Sequence, residues 1–133
     1  MSWMRITMDG TTYRVRVVYN TLMREFELIE GPAAGYMLNM RHERDLIGTG
    51  ISYEMGIAPD PDYPDDYDNF WMAISAPVDS HEITMPYNNT TITYNAEIMS
   101  GRDTYDGLLS GRRQWTGLVV RYHYIQPQRE ASP

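Results

Sequence analysis

Apolar and polar residues alternate at every second position in segment after segment of this chain, and that period restricts the fold more than any other feature. Successive side chains of a β-strand point to opposite faces, so period two marks a half-buried strand. In "GTGISYEMGIA", residues 48–58, Ile51, Tyr53, Met55 and Ile57 fall on one face, with Ser52, Glu54 and Gly56 on the other. Residues 3–19 read as two strands around Asp9-Gly10, a pair whose positive φ angles suit a tight hairpin turn. In the second of these strands Tyr13, Val15, Val17 and Tyr19 are expected inward. A third strand over 21–30 places Leu22, Arg24, Phe26 and Leu28 on one face and Met23, Glu25, Glu27 and Ile29 on the other. Neither face is clean, which suits an edge strand or one covered by a neighbour.

Residues 81–101 form a second hairpin around Asn88-Asn89, since Asn tolerates the left-handed region. Ile92, Tyr94, Ala96 and Ile98 lie on one side and Thr91, Thr93, Asn95 and Glu97 on the other. The last strand spans 115–127, with Leu118, Val120, Tyr122 and Tyr124 on one face. Between these runs, 30–46 reads as a charged loop with a short strand around Tyr36–Met40. Residues 101–114 read as a Gly- and charge-rich excursion, and "QREASP" as a polar tail.

The period switches once. Tyr67, Phe70, Trp71 and Ile74 stand at i, i+3, i+4 and i+7, one face of an α-helix. Pro64 suits the first helical turn, Asp65 and Asp66 sit against the positive end of the helix dipole, and Pro77 stops the helix near Ala76. The sum is a single domain over residues 1–133, mainly β. It is an antiparallel β-sandwich or open barrel of six to seven strands with one short flanking helix around residues 64–76.

That helix start lies within "DPDYPDDYDNFW", which packs five aspartates into positions 60–68. A calcium loop of the EF-hand kind needs alternating oxygen ligands, a glycine at the sixth position and a glutamate at the twelfth. Asp60, Asp62, Asp65, Asp66 and Asp68 miss that spacing, and Pro61 and Pro64 stiffen the segment. The stretch reads as a helix entry, its surplus charge as a solvated face. No metal site and no cofactor are expected. His42, His81 and His123 show no metal-binding or catalytic spacing, and half-exposed positions on strands are expected for His81 and His123. There is no nucleophile elbow, and the "GTG" at 48–50 precedes a strand, so it makes no phosphate loop.

Charge and composition narrow the function classes. The absence of cysteine removes disulfide, zinc-thiolate and thiol chemistry. A net charge of −7 leaves little for sequence-independent nucleic-acid binding. No apolar run is long enough to span a membrane, and the N-terminus carries no signal-peptide core, so a cytoplasmic site of assembly is expected. All eleven basic residues are arginine. Arginine, tyrosine, methionine and tryptophan are enriched at protein–protein interfaces, where lysine is depleted.

The order of segments carries a resemblance. A short hairpin precedes "REFELIEGPAAGYML" and "RDLIGTGISYEM". A tyrosine-centred helix then closes in "AISAPVDSHEITMPY", followed by "TITYNAEIMSG" and a final "QWTGLVVRYHYIQPQR". This pattern, over nearly the whole chain, resembles small tail structural proteins of long-tailed phages and prophages of Gram-positive bacteria. The resemblance implies a non-enzymatic virion protein of the tail, at the tube or the baseplate hub. Such a protein would be a β-sandwich with one flanking helix, repeated as a ring. Its partners would be copies of itself and other tail proteins, with DNA passing through the lumen without specific binding. No catalytic residues come with it. The expected contact segments are 30–46 and 101–114, with Arg112, Arg113, Trp115, Arg41, Arg44 and Tyr36 as interface residues. Two other classes stay open. One is a soluble binding module for a carbohydrate or cell-surface ligand, which needs an exposed aromatic platform. The other is a small β-fold enzyme, which needs a cluster such as His81, His123 and an aspartate.

Overall fold

A computed structural model describes residues 5–30, 35–36, 42–43, 46–106 and 114–130. The expected DG hairpin is present as β1 (Ile6–Met8) and β2 (Thr11–Tyr13), and both turn residues, Asp9 and Gly10, have positive φ. After a break at Arg14 the same run continues as β3 (Val15–Val17). It stops there, two residues short of the expected end at Tyr19. Asn20 takes a φ of 65°, and the Thr21 hydroxyl donates to the Val18 carbonyl while accepting from the Gly56 amide. Tyr19, expected inward, is therefore 88% exposed.

The long strand β7 (Leu46–Pro59) organises the sheet. On one side it pairs with β3 and then with β4 (Met23–Glu30). On the other it pairs with β11 (Gln114–Tyr124), and near its start with β12 (Arg129–Glu130). Residues 129–130, expected within a polar tail, are thus strand. The second hairpin appears as β8 (His81–Tyr87) and β9 (Thr90–Glu97), with Asn88 at positive φ. Residues 101–106, expected as an excursion, form β10 (Gly101–Asp106) along the first part of β11. A two-stranded pair, β5 (Gly35–Tyr36) with β6 (His42–Glu43), stands apart.

The pairings close on themselves. β1 joins β2, whose continuation β3 joins β7; β7 joins β11; the end of β11 joins β9; β9 joins β8; and β8 returns to β1. All are antiparallel. Closure gives most strands a partner on each side and removes the edges that an open sheet leaves. Six runs make the circuit, and each sends its alternate side chains inward. Ile6, Met8, Val15, Ile51, Tyr53, Met55, Ile57, Ile83, Met85, Ala96, Leu118, Val120 and Tyr122 form one buried cluster. The buried tyrosines keep their hydroxyls partnered, as burial demands. Tyr53 donates to the Pro86 carbonyl, Tyr94 to the Ile51 carbonyl, and Tyr122 lies 3.5 Å from the Met8 sulfur.

The helix α1 (Pro64–Ile74) follows β7 and brings Tyr67, Phe70 and Ile74 into the same core. Phe70 meets Tyr13 edge to face, with centroids 5.3 Å apart. Trp71, expected on the buried stripe, sits on its flank and is 40% exposed. The helix ends at Ile74, before Pro77, and at its end the Ser75 hydroxyl and amide both donate to the Trp71 carbonyl. Among the described residues no helix is long and apolar enough to cross a membrane.

The "GTG" stretch has a packing role. A Cβ on Gly50 would lie 2.4 Å from the Tyr124 ring, and one on Gly48 2.5 Å from Pro127 and the Arg129 carbonyl. The two glycines let the chain after β11 lie flat across β7. There the Gln128 amide donates to the Thr49 carbonyl, and its side chain accepts from the Ile51 amide. Replacing Gly50 by Ala forces Tyr124 off the strand. The expected loss is about 1–3 kcal/mol, read as a lower urea midpoint, whereas Gly10→Ala strains only its turn and leaves Tyr124 seated.

Candidate functional site

The aspartate run divides into two buried or half-buried carboxylates and three exposed ones. Asp60, expected on a solvated face, is only 3% exposed. It takes the Arg5 guanidinium at 2.8 Å and the Asp62 amide at 3.0 Å. Asp66 takes Arg14 in two ways, through the guanidinium (Nε at 2.9 Å and Nη2 at 3.3 Å) and through a bond from the backbone amide at 2.8 Å. That backbone bond explains the break between β2 and β3: the Arg14 N–H leaves the ladder to serve the helix. Tyr63, the residue before Pro64, lies beneath both cations, its ring centroid 3.8 Å from the Arg14 guanidinium and 5.7 Å from that of Arg5. The hydrogen bond from Arg5, aided by the Asp62 amide, holds the Asp60 carboxyl below the usual range. The side-chain and then the backbone hydrogen bond of Arg14 do the same for Asp66. These bonds occupy the two carboxylates with guanidinium groups, and the run acts as a clamp tying the helix start to the first hairpin. Among the described residues no three His, Cys, Asp or Glu side chains converge as metal ligands.

The histidines are not brought together. His81, expected half-exposed, is buried, and its Nδ1 lies 2.6 Å from the Asp9 carboxylate, whose other oxygen accepts the Glu82 amide. His123 stands beside Glu97 in the ladder, while His81 is opposite Ala96. Successive strand positions face opposite ways, so the two imidazoles point to opposite faces of the sheet. His123 Nδ1 lies 2.7 Å from the Tyr124 carbonyl. The side chain of His42 lies outside the described residues.

Of the expected interface residues, Arg41, Arg44, Arg112 and Arg113 lie outside the described residues, as does the side chain of Tyr36. Trp115 is 49% exposed and packs on Tyr105, its partner across the ladder, with centroids 5.1 Å apart. A bulge in β11 at Gly117, φ 70°, shifts the register against β10 and sets that pair.

The largest departure from ordinary surface is β4. Seven of its eight residues are exposed, and among the described residues β7 is its only strand partner. Residues directly paired in a ladder share a face. Arg24, Phe26 and Leu28 stand opposite Tyr53, Ile51 and Thr49, so they prolong the face that lines the barrel. Here, however, the barrel has curved away. Phe26 is 70% exposed and Leu28 41%. Together with Ile51 and Tyr87 they line a groove of about 500 Å³. The opposite face of β4 is braced. Arg121 donates to Glu25 at 2.7 Å, and Tyr124, lying over Gly50, donates to Glu27 at 2.6 Å. The Glu27 hydrogen bond, then burial, push the Tyr124 phenol up to about 12. Met23 and Tyr19 add exposed apolar surface at the near end of the strand. Sequence reasoning placed the contact surface in the neighbouring loops. The signal for β4 was its pair of unclean faces, with Phe26 and Leu28 alternating against acids.

Comparisons with protein-family models, with curated proteins and with solved structures gave no match.

The clamp gives stability a defined acid limb. Carboxyls depressed in the folded state stabilise it above their unfolded value, about 3.9, and that contribution is lost as pH falls through the folded value. The urea midpoint of the wild type is expected to hold from neutrality to about pH 5 and then drop. Asp66→Asn lowers the midpoint at neutral pH and flattens the drop, which a set of denaturation curves across this range reads directly.

Proposed function

We propose that this chain is a non-enzymatic structural subunit of a phage tail, of the tube or baseplate-hub class. It works by assembling with copies of itself into a ring and by docking other tail proteins. The observation that carries the reading is β4, a long strand that prolongs the core-side face of the sheet and leaves Phe26 and Leu28 exposed, with no strand but β7 beside it among the described residues. A monomer ordinarily blunts such an edge with charge, a bulge or a proline. Here β4 carries Arg24, Glu25, Glu27 and Glu30 and an irregularity after Ile29, but among the described residues its outer edge has no strand partner, and the apolar side chains Phe26 and Leu28 stand beside it, exposed. A strand from a second copy would add to that edge by main-chain hydrogen bonds while its own side chains covered the groove. A head-to-tail contact of this kind closes into a ring when the rotation permits.

Charge supports the same reading. The chain carries a net −7 with arginine as its only cation besides histidine. Arginine suits buried contacts between subunits. An acidic lumen would repel a DNA backbone and let it slide, so no specific nucleic-acid contact is needed. The protein would take no cofactor and would act in the virion, after assembly in the host cytoplasm.

The test is the native mass of purified protein over a concentration series, with negative-stain images of the same samples. Wild type is expected to give discrete multimers or rings. Phe26→Glu combined with Leu28→Glu is expected to stay monomeric with an unaltered thermal midpoint, since neither side chain is in the core. Equal assembly by wild type and variant would remove β4 from the contact, and a wild type that stays monomeric at every concentration would sink the self-assembly reading.

A further inference from the structure

Away from β4, on the other side of α1, the side chains of the helix and of β10–β11 enclose a second cleft, of about 290 Å³. Its lining is Asp68, Trp71 and Met72 from the helix, Asp103 from β10 and Trp115 from β11. Asp68, Trp71 and Met72 stand at i, i+3 and i+4, so they share one helix face. That face is distinct from the buried stripe of Tyr67, Phe70 and Ile74. Both indoles are substantially exposed, and Met72 more so. Two features hold the cleft in shape. Tyr105 stacks at a tilt against Trp115 and fixes its ring. The buried Tyr67 hydroxyl donates to Asp103 Oδ2 at 2.9 Å and aims that carboxylate. Burial, then Asp103 itself, push the Tyr67 phenol up, so it remains a donor there.

The chemistry of the lining is one-sided. Among the described residues it holds two aromatic faces and two carboxylates, and no cation. Its polar groups other than the indole N–H are acceptors. A saccharide hydroxyl both donates and accepts; it could donate to either carboxylate, but the described lining offers only the indole N–H groups for it to accept from. A guanidinium donates through five N–H groups, accepts nothing, and has flat faces that stack on indole. Tryptophan is also the strongest aromatic partner for a cation. From this complementarity we propose that the Trp71–Trp115 cleft is a binding site for a guanidinium group, namely an arginine side chain presented by a partner protein. The inference stands on the cleft alone and does not depend on the tail reading.

The probe is N-acetyl-arginine amide, titrated against the full chain with tryptophan emission as the readout. Trp71 and Trp115 are two of only three tryptophans, so the signal reports the cleft. A saturable change is expected, and the doubly substituted Asp68→Asn, Asp103→Asn protein should bind about tenfold more weakly, as loss of charge-assisted hydrogen bonds predicts. The asparagine at 103 can still accept from Tyr67, and an unchanged thermal midpoint checks that the fold is kept. N-acetyl-citrulline amide has nearly the same shape but no charge, and should give no response. The proposal is overturned by a wild type that shows no saturable change up to the solubility limit of the probe. It is overturned equally by a citrulline response that matches arginine, or by asparagine variants that bind as well as wild type. A response to N-acetylglucosamine with none to the arginine probe would make the cleft a saccharide site instead.

Discussion

The strand β7 is the constraint on which the other elements depend. Its fourteen residues run through the middle of the sheet, and four other strands pair with it, two on each side. Ile51, Tyr53, Met55 and Ile57 fill the barrel from it. A strand that long cannot stay within one small closed barrel. From Tyr53 on it pairs with β11 and then with β3 in the circuit, while the part before Tyr53, from which Ile51 still reaches the core, carries most of β4 and all of β12. The uncovered face of β4 is therefore a geometric consequence of strand length. The sheet continues where the barrel does not.

Polar contacts then fix the pieces that closure leaves free. The Arg5–Asp60 and Arg14–Asp66 pairs, with Tyr63 between them, join the first hairpin to the helix entry. His81 and Asp9 join the turn of that hairpin to β8. Tyr124 crosses Gly50 to reach Glu27 and braces the outward side of β4. Each contact links segments far apart in sequence. Each also spends a charged or phenolic group that a reading of the chain alone would leave in solvent. Once these groups are committed, the described surface retains two distinctive areas. One is the open side of β4; the other is the acidic, tryptophan-lined cleft beside α1. The first is the surface proposed to take an added strand and the second the one proposed to take a cation.

Much of the fold was legible because the signals are local. Alternation in 48–58, 81–98 and 115–124 followed from side chains pointing alternately across a pleat, and the Asp9-Gly10 and Asn88 turns followed from positive φ. The helix followed from the i, i+3, i+4, i+7 spacing of Tyr67, Phe70, Trp71 and Ile74 together with Pro64, although Trp71 lies on the flank of the buried stripe. The errors have equally specific causes. Tyr19 was assigned inward because a period continues on paper past the Asn20 turn that ends the strand. Residues 101–106 and 129–130 lack a hydrophobic pattern, since an outer strand is held by main-chain bonds that leave no mark on side-chain periodicity. Asp60 read as solvated, and Asp66 only as a helix-start charge, because their partners, Arg5 and Arg14, lie more than fifty residues away. Trp115 was singled out from its neighbours in sequence, but the groups that give it chemistry, Asp68, Trp71 and Asp103, come from other elements.

The amino-acid sequence by itself determined a mainly β fold with one short helix beginning at Pro64, its hairpin turns, and most of the side chains that face the core. Those properties depend on the period of the backbone and on the φ angles that individual residues accept, both of which act over a few positions. Only the tertiary structure decided that the strands close on themselves, that β4 is left outside with Phe26 and Leu28 bare, and that Trp71 meets Trp115 across a cleft. Closure and exposure depend on which distant strands pair and on where a long strand outruns its neighbours. Those are properties of the assembled sheet, and no local stretch of the chain encodes them.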